Sequence, residues 1–90
     1  MPTIVWTDYL RYRASLRGFD LSILEVILRQ SNKRYFDTET GRKVAVGRHK
    51  ELLILIPYDQ HEATITPVTV HAITRQQIRY RLMTGKFTYE

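Results

Sequence analysis

Leu52 to Ile56 is an unbroken aliphatic run, and it constrains the fold of this chain more than any other stretch. It is too short for a helix of its own and far too short to cross a bilayer. As a strand it is apolar on both faces, so it belongs inside a sheet with cover on each side. The other elements have to supply that cover.

The residues before the run predict two helices. Thr3 to Trp6 is a short extended start, rich in β-branched and aromatic residues. Thr7 caps a helix that runs to about Arg17, with Asp8 in its first turn, and Gly18 stops it. Tyr9, Tyr12, Arg13 and Leu16 share one side, which predicts aromatics packed on the sheet. Arg11, Arg13 and Arg17 then stay wet on long stems. Asp20 caps a second helix, with Phe19 and Leu24 as its hydrophobic staple. Leu21, Ile23, Leu24, Val26, Ile27 and Leu28 leave almost no polar face before Arg29, as in a core helix or a subunit contact.

From Lys33 the period changes to two. Arg34 to Asp37 and Lys43 to Arg48 read as strands joined by a turn that ends at Gly41. His49-Lys50 is a second tight turn, and Asp59 to Glu62 a third. Ala63 to His71 is the last strand, and Pro67 within it marks an edge or a bulge. A helix follows. Thr74 and Gln77 have capping-box spacing, Ile73 and Ile78 form a staple, and Gly85 ends the helix. The expected fold is α+β. An antiparallel meander of four to five strands carries two N-terminal helices and one C-terminal helix.

Ninety residues make a single domain, 1–90, with a thin core that a homodimer or a bound partner can complete. The absence of cysteine excludes disulfides, thiol catalysis and cysteine-ligated zinc, and makes the cytoplasm the default location. No signal segment opens the chain and no membrane association is expected. The net charge of +5 is segregated. Residues 29–50 hold Arg29, Lys33, Arg34, Arg42, Lys43, Arg48 and Lys50 against Asp37 and Glu39. A positive face of this kind suits nucleic acid first and an acidic protein second.

There is no glycine-rich phosphate loop, and His49, His61 and His71 lack ligand spacing, so neither metal nor cofactor is expected. What remains is metal-free phosphodiester chemistry. RNA is cut by its own 2′-hydroxyl when a base takes that proton and cations steady the phosphorane. His71 can serve as base or acid. Arg75, Arg79 and Arg48 can hold the phosphorane, and Tyr80 or Tyr58 can orient or donate. Arg75 and Arg79 are like charges four apart, and an anion between them gives the pair a reason. Arg11, Arg13, Arg17, Lys43, Lys50, Arg81 and Lys86 extend the positive face as RNA contacts. A solvated basic helix, a non-catalytic nucleic-acid-binding domain and a protein-interaction module stay open beside this reading.

Several stretches together resemble the RelE/ParE-like toxins of bacterial toxin–antitoxin pairs, in particular the BrnT-like branch. They are Ile4-Val5-Trp6-Thr7-Asp8, Arg13 to Asp20, Tyr35-Phe36-Asp37, Val44 to Arg48, Leu52 to Ile56, and Val68 to Arg75. The resemblance implies helices packed on an antiparallel sheet, endoribonuclease activity and a cognate antitoxin that covers the site. It carries over to Arg48, Arg75 and His71. Related chains often open the first helix with a His or Lys, where this one has Tyr9 or Arg11 nearby.

Overall fold

The structure is a computed structural model describing residues 2–90. The strands are β1 (Thr3–Ile4), β2 (Lys33–Asp37), β3 (Arg42–His49), β4 (Leu52–His61), β5 (Thr64–Pro67), β6 (His71–Ala72) and β7 (Phe87–Tyr89). The helices are α1 (Asp8–Arg17), α2 (Leu21–Gln30) and α3 (Arg75–Met83). The fold is α+β, with one sheet in the order β1-β5-β4-β3-β2-β7 and β6 paired to β4.

The sheet is mixed. β1 runs parallel to β5, with Thr3 opposite Thr64 and Ile4 opposite Ile65, so the expectation of an all-antiparallel meander of four to five strands is corrected. The run Leu52–Ile56 is the first half of β4, which continues through Pro57 to His61. The expected turn at Asp59 is therefore strand, and the chain reverses at Glu62 with φ 54°. The expected long strand from Ala63 breaks into β5 and β6, which share one edge of β4. The break begins at Pro67, which brings no N–H; Val68 N–H then bonds back to Pro57 C=O at 2.8 Å. β7 was not expected, and it pairs antiparallel with β2.

Alternation along β4 gives each face its own cover. Ile54, Ile56 and Tyr58 are buried in one cluster with Leu10 and Ala14 of α1 and Leu24, Ile27 and Leu28 of α2. Leu55, with Leu53 packed against it, joins Ile73 and Ile78 in the other, under α3. At roughly 0.8 kcal/mol per buried CH₂, these two clusters are the main driving force of the fold. Gly47 lets α2 approach the sheet, since a Cβ there would lie 2.7 Å from Ile27 Cγ1. Arg34 joins the end of α2 to the sheet, donating to Leu28 C=O, Ser31 C=O and the Tyr58 hydroxyl.

The helix signals behave as their chemistry requires. The Thr7 hydroxyl accepts from Leu10 N–H, and Asp20 accepts from Ser22 N–H. The capping box of α3 is complete, at 3.1 Å from Gln77 N–H to Thr74 Oγ1 and 3.0 Å from Thr74 N–H to Gln77 Oε1. α1 departs from expectation. Leu10 and Ala14 form its buried stripe, and Tyr9, Tyr12 and Leu16 are 57%, 61% and 65% exposed. The small Ala14 permits close approach on that side and leaves the tyrosines outside. Val26 likewise faces outward from the largely apolar α2.

Candidate nucleic-acid interface

α3 lies across one face of the sheet, held by Ile78 and Leu82. At about 100° per residue, Arg75 and Arg79 project on one flank of that stripe and Arg81 on the other. Tyr80 points away from the sheet into solvent. Each flank forms a cleft of about 250 Å³. That is below the roughly 300–1,000 Å³ of pockets that engulf a drug-sized ligand, and fits short segments of a polymer better.

The first cleft contains His71. In β6 it pairs with Leu55, which points toward α3, so the imidazole stands at the sheet edge on that side. Thr69, Arg81 and Lys86 line the cleft, with Asp37 and Arg42 from the β2–β3 hairpin. The His71 imidazole is half-buried, and its pKa is lowered below the ordinary 6.5, first by burial and then by the positive charges of Arg17, Arg81 and Arg13. Two helices thus supply three guanidinium charges that act on one ring. Among the described residues, no carboxylate forms an ion pair with any of the three. Lys86 is held by Glu39 at 3.3 Å, and Arg81 lies over the Phe87 ring at 5.3 Å. Arg13 Nε and Thr69 Oγ1 are both buried without a hydrogen-bond partner.

The second cleft is lined by Lys33, Tyr35, Leu53, Arg75, Arg79 and Tyr89, among others. Tyr35 is buried, its ring stacked on Phe87 at 5.7 Å and tilted against Tyr89 at 5.6 Å. Burial raises the Tyr35 pKa and Tyr89 adds to this, while Arg75 opposes it.

The structure therefore separates residues that the sequence suggested as one site. His71 shares its surroundings with Arg13, Arg17 and Arg81, while Arg75 and Arg79 share theirs with two tyrosines. Arg48 is exposed at the end of β3, donating to Glu51 C=O at 3.2 Å. Arg11 donates to Trp6 C=O, and Lys50 is exposed beside Arg17. Lys43 reaches Gln60 Oε1 at 3.5 Å and, opposite Tyr58, projects from the sheet face that α3 does not cover. Tyr58 is buried and accepts from Arg34, so it is part of the core. His49, expected in a turn, is 3% exposed; its Nε2 accepts from Asp20 N–H at 2.8 Å, and its ring meets Phe19 edge-on. That imidazole fixes the start of α2 to β3. Lys33, Tyr35 and Tyr89, which line the second cleft, were not among the candidate site residues read from the sequence. The signal was the alternating Phe87-Thr88-Tyr89, a strand pattern too short to stand out.

No protein-family model, curated protein sequence or solved structure matches this chain.

Proposed function

We propose that this chain is a metal-free endoribonuclease of the RelE/ParE-like, BrnT-like toxin type, with His71 as its proton-transfer group. The observation that carries the reading is a half-buried imidazole in a cleft lined by Arg81 and Lys86, its pKa lowered by burial and by the charges of Arg17, Arg81 and Arg13. A neutral imidazole can take the proton of an RNA 2′-hydroxyl. The 2′-oxygen attacks the adjacent phosphorus, and the guanidinium groups stabilise the charge of the phosphorane. The imidazolium then returns its proton to the departing 5′-oxygen. The products are a 2′,3′-cyclic phosphate and a 5′-hydroxyl. On this reading an antitoxin protein is the partner that masks the positive face.

Incubation of the protein with RNA in excess chelator tests this. Cleavage leaving a 2′,3′-cyclic phosphate supports it, and intact RNA overturns it. A second reading, a protein-interaction module, is favoured by the exposed Tyr9, Tyr12 and Leu16 set among the arginines of α1. Tight binding of an acidic protein with no effect on RNA is its expected result.

A further inference from the structure

The cleft on the Arg75 side of α3 is not needed for proton transfer at His71, yet it is the more specialised surface. Its cations, Lys33, Arg75 and Arg79, have no carboxylate partner among the described residues. No acidic residue lines it. Tyr89 stands beside them on a terminal strand with 75% of its surface exposed. Tyr35 supports that ring from within and is itself stacked on Phe87. An exposed aromatic ring on a rigid aromatic base, beside unpaired cations, has the two parts of a single-strand-binding platform. The ring offers a face to a base, and the cations follow the backbone phosphates.

We propose that this cleft is a holding subsite for single-stranded RNA, with one unpaired base stacked on Tyr89 and the neighbouring phosphates on Arg75, Arg79 and Lys33. The inference rests on the reading of the chain as acting on RNA, and it separates holding from cutting. One flank of α3 grips the strand, and the other carries His71. A helix with its side chains is about 10 Å across. A stacked strand rises about 3.4 Å per nucleotide, so roughly three nucleotides cross from one flank to the other. A dinucleotide reaches one flank only. A duplex keeps its bases paired and has none to offer Tyr89. An acidic peptide could use the cations but not the ring, which is why RNA is the favoured occupant.

The test uses the intact protein with an unstructured hexanucleotide, a dinucleotide, a hairpin stem and polyglutamate. For wild type the hexanucleotide should be the better substrate and the tighter ligand. In Tyr89→Ala that advantage over the dinucleotide should shrink about tenfold, within a range of roughly 5- to 150-fold for one stacked base. Tyr89→Phe keeps the ring face and should restore it. Arg79→Ala should lower the salt dependence of hexanucleotide binding by about 0.7 in log–log slope. Three results overturn the inference while the function stands: cleavage with no change of that advantage in Tyr89→Ala, binding of the stem as tightly as the single strand, or competition by polyglutamate as effective as by RNA. If wild type neither binds nor cleaves RNA, the functional reading itself falls and takes the subsite with it.

Discussion

On one flank of α3, Arg81 stands near His71, with Asp37 and the Lys86–Glu39 pair close by. On the other, Arg75 and Arg79 face Lys33, Tyr35 and Tyr89 and meet no carboxylate. Both flanks are positive, but only the first has a group that can carry a proton near neutral pH. The second has Tyr89, an exposed ring that rests on the buried Tyr35, beside its cations. The difference teaches that positive charge alone marks where an anion goes, and the neighbours of that charge decide what happens to it. Helical period makes the division. Positions 75 and 79 lie on one side of the Ile78–Leu82 stripe and position 81 on the other, so arginines two positions apart serve different clefts.

The largest expected effect removes both flanks at once. Ile54→Asp puts an unpaired carboxylate at a fully buried position of β4, in the cluster with Leu10, Leu24 and Ile56. The cost is several kcal/mol, against a total stability of about 5–15 kcal/mol for a domain. The variant should show no cooperative thermal transition by circular dichroism. A native spectrum would mean that β4 is not covered on both faces.

Next in size is His71→Gln, which keeps shape and some hydrogen bonding but cannot carry the proton. Single-turnover cleavage should fall by about 10²–10⁴-fold, with RNA affinity nearly unchanged. Equal losses of rate and affinity would make His71 a positioning residue and would blur the contrast between the flanks.

Single-arginine variants sharpen that contrast. Arg81→Ala should cost cleavage about 2–4 kcal/mol of transition-state stabilisation, because its guanidinium acts near His71. Arg75→Ala should instead weaken binding, with a salt slope lower by about 0.7 and a smaller effect on the bound rate. Comparison of affinity and single-turnover rate for the two variants checks this. The reverse pattern would exchange the roles of the flanks.

Much of the fold was legible in the sequence because its signals are local. The caps at Thr7, Asp20 and Thr74 depend on residues two or three positions away, and all three form. The two-sided burial of Ile54, Leu55 and Ile56 followed from an apolar run with no polar face, while Leu52 at the strand's start is 52% exposed. The misses are non-local. The pairing of β1 with β5 joins Thr3 to Thr64, and no periodicity encodes that distance. Tyr9 and Tyr12 looked like core by spacing, but the small Ala14 decided which side of α1 packs. The candidate site divided for the same reason. His71 and Arg75 are four residues apart in sequence, but a strand end and a helix start turn them to different clefts. The arginines that act on His71 include Arg13 and Arg17, which the chain brings back from α1.

The smallest expected effect reads His71 through stability, without RNA. Burial and the charges of Arg17, Arg81 and Arg13 hold its pKa below the ordinary 6.5 in the folded chain. Above pH 6.5 the imidazole is neutral both folded and unfolded, and its contribution to stability is fully present. As the pH falls below 6.5, the unfolded chain takes up the proton first, so stability declines. The decline levels off once the pH has passed the lowered value in the folded chain. Carboxylates titrate mainly below about pH 4.5, which leaves a window above them for this loss. In a domain of this size each 1 kcal/mol lowers Tm by about 4–8 °C, so calorimetry can resolve the slope. Wild type should lose Tm between pH 6.5 and 5, and His71→Gln should lose less. Arg17→Ala should flatten the slope in part, since it removes the largest charge effect on the ring. Arg75→Ala, on the far flank, should keep the wild-type slope. If Arg75→Ala flattens it as much as Arg17→Ala does, the two clefts are electrostatically one, and the division of labour across α3 fails.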